Sequence, residues 1–465
     1  MNNKSLYTAS RIIIVFIYGI LWFLLYKHYS VFTHYNIPKF TINRVADNLT
    51  VNIIIFTLLP LIYILNYFLL KKYKEIRPVV KITLISFFIT FGILNIFTHP
   101  VGAPDIFNYI VNCKLSYYHH LNPYTHSFHS FVNDPLIGYT TLSHSTLPYG
   151  PLWLLLCYIP FHISGFFSIL SMLLCYKSFN FVFFIFTATV IYHYEEKDKK
   201  WISLYLFMGN PVILFEGIVN GHNDLIMTFF FIYSIFKFRQ NSVFTLPLFT
   251  LGSMVKVFIL PLLPLFLIEM IRRKWPTNKI IASCILSVLI AICLFIPFRD
   301  RNVIKGMIGG MNSYHETRGL STYAVIRTYM KRNGIEGLSY VKFIWGFIFI
   351  LFLIAEIFFI KGRVEDRGAD ILLFFLINIS LLYPWYLIPV FTLLSVSEDK
   401  RDLFYLFTGT FTGMLFYPLS VWLWRFIINS SNVTAFLCLS VIMILPVIIF
   451  FILRILRISN KAVIT

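Results

Sequence analysis

Apolar residues run along this chain in long blocks that short polar segments separate. Most blocks have roughly the twenty residues that one helix needs to cross a bilayer. They predict spans near 11–29, 51–70, 81–98, 166–194, 201–218, 224–239, 243–271, 280–297, 341–361, 369–396, 403–420 and 434–455. The blocks at 243–271 and 369–396 contain prolines, which break helices, so we interpret each as a hairpin of two shorter helices. The pattern predicts an all-α, polytopic membrane helix bundle with about 12 to 14 crossings.

Composition supports a membrane protein. The 465 residues are 58% hydrophobic, 19% aromatic and only 13% charged, against roughly a quarter charged in an average soluble domain. The net charge of +19 would suggest nucleic acid as a partner of a soluble protein. Lys and Arg at cytoplasmic helix ends explain that charge here, so nucleic-acid binding is disfavoured. The six cysteines lie mostly in apolar runs without a C-x-x-C pair and are interpreted as small hydrophobic residues.

The distribution of Lys and Arg predicts the topology. With a cytoplasmic N-terminus, the inside segments hold about 24 of the 39 basic residues. These segments include 71–81, 195–200, 272–279, 361–367, 400–401 and 454–461. We therefore expect a multi-pass protein of the cell membrane with both termini in the cytoplasm. Residues 1–465 would form one integral membrane domain, with two long outer loops at 99–150 and 298–340.

Loop 99–150 is rich in Tyr, His, Asn and Pro and has few charges. Aromatic rings beside hydroxyl and amide groups are suited to bind the faces of sugars, although an aromatic belt at the membrane interface would give the same composition. Only Asp105 and Asp134 are acidic in this loop. Asp105 directly follows the third span, where a partly desolvated carboxylate suits a general base. An alternative is that it caps a short helix that starts at Pro104.

A second polar cluster, residues 220–224, lies between two apolar segments. Polar groups at such a position are costly unless buried partners or a ligand satisfy them. A tight turn explains Asn220 and Gly221, but it does not explain His222 and Asp224 together. That pair could coordinate a divalent cation, or it could hold a phosphate-binding group in place. It lacks the spacing of an established metal site.

Lys256 interrupts an apolar stretch and is followed by two prolines. An ammonium group at membrane depth usually pairs with an anion, such as a lipid phosphate, unless its side chain extends to the headgroups. The loop 298–340 adds Arg318, whose guanidinium suits a phosphate but is also ordinary surface charge. Lys177 and Glu356, isolated within spans, are interpreted as structural polar groups.

The chain has no Walker loop, no G-x-G-x-x-G, no H-E-x-x-H and no nucleophile elbow. No predicted cytoplasmic segment is long enough for a nucleotide-binding domain. A donor substrate would therefore arrive through the lipid or from the outer side.

The polar and aromatic residues between about 99 and 390, in their order along the chain, resemble those of the GT-C glycosyltransferases that use polyprenyl-phosphate sugars. The resemblance is strongest to the bacterial α-mannosyltransferases that extend cell-envelope glycans. The ordered positions that carry it are Asp105, Tyr109, Asn122-Pro123-Tyr124, Tyr149-Gly150-Pro151-Leu152-Trp153, Asn210-Pro211, Glu216, Gly221-His222-Asn223-Asp224, Lys256 and Pro384-Trp385-Tyr386.

The resemblance implies a helix bundle with catalysis at the outer leaflet and short membrane-parallel helices in the first outer loop. It places the catalytic base at Asp105 and implies an inverting displacement of the lipid phosphate by an acceptor hydroxyl. The donor would be a polyprenyl-phosphate hexose, with mannose as the expected sugar, and the acceptor a glycan or glycolipid. Charge neutralisation of the phosphate is assigned to Lys256, Arg318 or His222. The predicted substrate-binding residues are Tyr109, Asn122, Tyr124, Tyr149, Asn220, His222, Asp224, Lys256, Arg318, Trp385 and Tyr386.

Two features depart from the family pattern. Two spans precede the hairpin that delivers the Asp105 loop, and the paired acidic motif of several relatives is missing, since Asp134 has a different spacing. A divalent cation, Mg²⁺ or Mn²⁺, therefore stays open as a cofactor, with His222 and Asp224 as weak candidate ligands. The competing interpretation is a transporter or flippase of a lipid-linked sugar, for which we find no matching half-repeats.

Overall fold

The computed structural model describes residues 3–36, 48–72, 78–140, 142–165, 168–196, 199–315, 320–379, 382–397, 399–422 and 432–462. Within these ranges most residues are helical, and the one β-type contact is an isolated antiparallel bridge between Ser30 and Thr98. The predicted all-α fold class is confirmed.

Twenty α-helices follow one another along the described chain. They are α1 (Asn3–His28), α2 (Val31–His34), α3 (Leu49–Lys72), α4 (Pro78–Ile96), α5 (Asp105–Tyr117), α6 (Pro151–Ile163), α7 (Ile169–Tyr194), α8 (Lys200–Met208), α9 (Pro211–Leu214), α10 (Asp224–Arg239), α11 (Thr245–Val255), α12 (Leu263–Arg272), α13 (Thr277–Phe295), α14 (Val303–His315), α15 (Thr322–Arg332), α16 (Leu338–Phe358), α17 (Val364–Asn378), α18 (Leu387–Ser395), α19 (Lys400–Trp422) and α20 (Asn432–Ala462).

Several of these helices are suited to cross a membrane. Five described helices are long and apolar enough, or six if the bent pair of Lys200–Met208 and Pro211–Val219 counts as one span. Five shorter apolar helices accompany them. The apolar window of α13 is only 6% buried, which leaves most of its surface for lipid. A polytopic membrane bundle is confirmed, and the count of twelve to fourteen crossings stays a prediction.

Both proline-containing blocks fold as hairpins, as predicted. Helix α11 ends at Val255, and after Lys256 and a 3₁₀ turn α12 returns beside it, so that the rings of Phe249 and Phe266 lie 5.2 Å apart. Helices α17 and α18 form the second hairpin, because Ser397, just after α18, donates a hydrogen bond of 3.0 Å to Asp366 in the first turn of α17.

The two long loops pack against each other. The first contains α5 and two 3₁₀ turns, Phe128–Ser130 and Pro135–Gly138. Helix α14, which belongs to the second loop, approaches the first so closely that a Cβ on Gly306 would lie 1.6 Å from the carbonyl oxygen of Tyr124. Thr146 Oγ1 donates to the carbonyl of Gly306 over 2.6 Å. The two loops therefore lie at the same end of the bundle.

The two isolated charges within spans have structural partners. Lys177 of α7 is fully buried and donates to the carbonyl of Thr98, just before the first long loop. Glu356 of α16 accepts a hydrogen bond of 3.0 Å from Arg454 of α20, which also contacts Asp370 of α17. The interpretation of Lys177 and Glu356 as structural polar groups is in accord with these contacts.

Candidate functional site

The candidate site lies where interrupted helices end beside the start of α5. One interruption is the segment 209–223, where α8 and the following helix are bent by 50° and a π-helical turn, Phe215–Val219, leads into the polar residues 220–223. The others are the tips of the α11–α12 and α17–α18 hairpins, at Lys256 and at the 3₁₀ turn Pro384–Tyr386. Helix ends leave backbone groups unpaired, which makes such a junction suitable for a polar ligand.

Asp105 is the first residue of α5, and its side chain is 8% exposed. Tyr149 Oη donates to Asp105 Oδ1 over 3.3 Å. A helix does start here, as the alternative prediction required. Its N-cap residue is Pro104, however, and α5, all of whose residues the structure describes, has no side-chain cap hydrogen bond at its N-terminus. The carboxylate of Asp105 is therefore not used as a helix cap.

Asn220 holds the segment before Asp105 in place. Its Oδ1 accepts hydrogen bonds from the backbone amides of Val101 and Gly102, at 3.1 and 3.3 Å. Its Nδ2 donates to Glu216 Oε2 at 2.8 Å and to Tyr417 Oη at 3.4 Å. This fully buried side chain thus connects the loop of Asp105 to the π-helical turn and to α19.

Gly221 allows the two segments to approach. Its φ of +72° lies in the left-handed region, which side chains with a Cβ rarely adopt. A Cβ at this position would lie 2.7 Å from Cδ1 of Ile106, the residue after Asp105. The glycine therefore meets both a backbone and a packing requirement.

His222 lies between a carboxylate and an aromatic stack. Its Nε2 is 3.4 Å from Glu216 Oε2, a close contact whose geometry is not that of a hydrogen bond. Its ring stacks on Trp385 with centroids 4.3 Å apart, and Trp385 stacks on Tyr383 at 4.5 Å. Burial lowers the pKa of His222 to about 4, although the negative charges of Asp105 and Asp224 oppose that shift. The imidazole is therefore neutral at physiological pH.

Lys256 and Asp224 form a buried ion pair. The ammonium donates to Oδ1 and Oδ2 of Asp224 at 2.9 and 2.7 Å, and Asp224 is fully buried. The same ammonium lies 4.2 Å from the ring centre of Tyr386 and 5.9 Å from that of Tyr149. The positive charge of Lys256 is thus already balanced by the protein.

Two further predicted residues, Tyr109 and Tyr124, contribute to the walls of the site. Tyr109 Oη donates to Asn223 Oδ1 over 3.3 Å, and Tyr124 Oη donates to the carbonyl of Tyr149 over 2.9 Å. The Nδ2 of Asn122 donates to the carbonyl of Phe298 at 3.0 Å. Asn122 therefore joins the two long loops.

Comparison with known protein families identifies the family of the chain. The family model of the alpha-(1→6)-mannopyranosyltransferase N-terminal domain, the MptA/B family, matches residues 34–272, just over half of the chain. The chain belongs to this family. It is therefore a mannosyltransferase, and its apolar helices make it a multi-pass membrane enzyme. No curated protein sequence matches the chain.

The matched segment of the mannosyltransferase contains most of the predicted site. Asp105, the aromatic wall, the polar cluster and Lys256 lie within residues 34–272. Trp385 and Tyr386, which lie beyond the matched segment, come to the same place through the α17–α18 hairpin. Arg318 lies outside the described residues.

The weak metal candidates do not fit a cation site in this geometry. Both oxygens of Asp224 accept hydrogen bonds from Lys256, and the nearest carboxylate to His222 Nε2 is that of Glu216. Among the described residues, no group of three or more His, Cys, Asp and Glu side chains is placed to hold a metal. Asp134 does not complete a carboxylate pair either, because it binds Lys114 at 2.5 Å.

Three residues of the site were not among the predicted binding residues. Glu216 carried a signal, since an acidic side chain inside an apolar segment usually has a functional or structural partner. Tyr383 and Tyr417 carried none, because a tyrosine in an aromatic-rich segment resembles many others in this chain. Only their contacts with Trp385 and Asn220 identify them.

Proposed function

We propose that this mannosyltransferase moves mannose from a polyprenyl-phosphate donor to a hydroxyl of a glycan or glycolipid at the outer face of the membrane. The observation that supports it best is the position of Asp105, a carboxylate at the junction of three interrupted helices that caps no helix and pairs with no cation in the described chain. The name of the family, alpha-(1→6)-mannopyranosyltransferase, supports an α-(1→6) linkage in the product.

The proposed reaction is a single inverting displacement. Asp105 takes the proton from the acceptor hydroxyl, whose oxygen attacks the anomeric carbon of the donor as the bond from that carbon to the phosphate oxygen breaks. An α-linked product then requires a β-linked donor. Because phosphate is a good leaving group, positioning and charge stabilisation account for most of the rate enhancement.

Unpaired polar atoms support a sugar at this junction. Glu216 Oε1 and Asn223 Nδ2 are buried and have no hydrogen-bond partner among the described residues. Buried polar groups are normally paired, so such atoms are suited to bind the hydroxyls of a ligand. The ring of Tyr149, whose hydroxyl donates to Asp105, supplies an aromatic surface at this junction that suits the apolar side of a hexose.

A lipid-linked donor agrees with the surroundings of the site. The helices that reach it belong to a bundle whose outer helices, α13 and α16, are almost entirely exposed and apolar. A hydrocarbon chain can lie against such surfaces while its sugar phosphate enters the junction between the helix tips. No predicted cytoplasmic segment is long enough for a domain that would bind a water-soluble nucleotide sugar.

The test compares two carboxylates of the same loop. Purified protein, Asp105→Asn and Asp134→Asn are given radiolabelled polyprenyl-phosphate mannose and a mannan oligosaccharide. Loss of a general base costs about 10²- to 10⁴-fold in rate, so Asp105→Asn is expected to lose transfer while Asp134→Asn, whose partner is Lys114, keeps most of it. Transfer by Asp105→Asn at the rate of the original chain would show that Asp105 is not the base.

A further inference from the structure

Helix α7 contacts both of the segments that meet at the candidate site. Lys177 and Asn180 are three residues apart on this helix, so they lie on the same face with a rise of about 4.5 Å between them. Both side chains are buried, with 0% and 2% of their surface exposed. Neither was among the predicted binding residues.

The amide of Asn180 holds the turn that carries the polar cluster. Its Nδ2 donates to the carbonyl of Gly217 at 2.9 Å and to that of His222 at 3.2 Å. In a regular π-helix the Gly217 carbonyl would accept from the backbone amide five residues later, that of His222. That amide donates instead to the carbonyl of Glu216 at 3.0 Å. The side chain of Asn180 therefore replaces a backbone donor at the point where the helix is interrupted.

The turn that Asn180 holds contacts the segment of Asp105 directly. Asn220, which lies between the two carbonyls, accepts hydrogen bonds from the backbone amides at positions 101 and 102. Gly221 packs against Ile106, the residue after Asp105, so closely that a Cβ would lie 2.7 Å from its Cδ1. A shift of this turn would therefore move the start of α5 as well.

Lys177 holds the extended segment that leads to Asp105. Its ammonium donates to the carbonyl of Thr98. Backbone hydrogen bonds of 2.8 and 2.6 Å join the residues on either side of Thr98 to the segment 29–31. Because successive carbonyls of an extended chain point to opposite sides, the Thr98 carbonyl faces away from that segment and toward α7. The approach to Asp105 is thus fixed from both sides.

Burial of the Lys177 side chain is costly, because α7 is a helix suited to cross the membrane. No carboxylate pairs with this ammonium in the part of the chain that the structure describes. A methionine of similar length would avoid the cost and would leave the Thr98 carbonyl without this donor. A costly polar group that orders the approach to a reactive carboxylate is typical of a functional residue.

We propose that Lys177 and Asn180 are positioning residues for mannosyl transfer, which hold the Asp105 segment and the turn 217–222 in place relative to each other. The inference rests on the proposed placement of the reaction at Asp105. Burial keeps both side chains away from the substrates, so they act through the backbone carbonyls that they bind. Because a misplacement of about 1 Å can cost about 100-fold in rate, loss of either contact should lower kcat more than it raises KM.

The test removes each contact with an apolar residue of similar size. Lys177→Met and Asn180→Leu are compared with the original chain and with the matched control Thr187→Val. Thr187 is also fully buried on α7, but its hydroxyl donates to a carbonyl of the preceding turn of the same helix, at 2.8 Å. Transfer from polyprenyl-phosphate mannose is measured at a temperature at which all four proteins are folded. Mass spectrometry follows the hydrogen exchange of segments 98–105 and 215–223.

We expect kcat to fall about ten- to 100-fold in Lys177→Met and in Asn180→Leu, with KM for the donor within about threefold of the original value. Exchange should become faster in segment 98–105 for the first variant and in segment 215–223 for the second. Thr187→Val should change neither quantity. An unchanged kcat or unchanged exchange in either variant would overturn the assignment of that residue, and an equal loss of kcat in the control would overturn both.

Two further measurements separate positioning from a structural role. Lys177→Met removes a costly ammonium from the membrane, so its unfolding temperature should be at least that of the original chain although kcat falls. Asn180→Ser keeps a hydroxyl donor and should recover part of the kcat lost in Asn180→Leu, and it replaces that variant if the leucine prevents folding. Exchange needs no donor substrate. Absence of transfer in the original chain would therefore count against the proposed donor, while exchange still reports whether α7 holds the two segments.

Discussion

The ion pair of Lys256 and Asp224 gives a prediction whose size follows from its geometry. At 2.7 to 2.9 Å, the two charges attract by about 6 kcal/mol at an effective dielectric constant of about 20. Desolvation of both groups offsets part of this gain. Asp224 is fully buried, so Lys256→Gln leaves an uncompensated charge, and we expect it to lower the free energy of unfolding by about 3–5 kcal/mol.

The double variant Lys256→Gln/Asp224→Asn removes both charges and leaves two amides that can pair with each other. We expect it to recover most of the lost stability and to lie within about 1 kcal/mol of the original chain. Thermal unfolding of the original chain, Lys256→Gln, Asp224→Asn and the double variant in the same detergent completes a double-mutant cycle. A single variant that costs less than about 1 kcal/mol, or a double variant no better than the single one, would refute the buried pair.

Three further predictions concern packing, pH and metal. Gly306→Ala should lower the unfolding temperature and mannosyl transfer, because its Cβ would lie 1.6 Å from the Tyr124 carbonyl oxygen; Gly346→Ala on α16, with nothing within 4 Å, is the control. Burial lowers the pKa of His222 to about 4, so the free energy of unfolding should fall as the pH drops from about 6.5 to about 4. In unfolding titrations, His222→Gln should flatten the plot of this free energy against pH over that range. Transfer should be indifferent to EDTA; loss of activity that Mn²⁺ restores would contradict the geometry of Asp224.

Much of the fold was predictable because its signals are local. Apolar blocks of the length of a bilayer predict helices, and prolines within two of them predict the hairpins. Asp105 and the cluster 220–224 were predictable for a related reason, since polar residues between apolar segments need partners or a ligand. The candidate site lies where these polar residues between apolar segments meet.

The partners of these residues were not predictable, since they depend on contacts between distant segments. Lys256 was expected to bind a lipid phosphate, but 32 residues earlier in the chain Asp224 already supplies a carboxylate. Asn122, a predicted substrate-binding residue, also joins the two long loops through Phe298, a contact that the sequence does not indicate. No periodicity within one segment reports which residue of another segment it will face.

The central claim is that Asp105 removes a proton from the acceptor in an inverting displacement. The measurement that tests it most directly is the reaction of Asp105→Ala with polyprenyl-phosphate mannose in the presence of azide, a nucleophile that has no proton to lose. The account predicts that the variant fails with the sugar acceptor yet forms α-mannosyl azide from the β-linked donor. Transfer to the acceptor at the original rate, or an azide product that retains the donor's configuration, would contradict it.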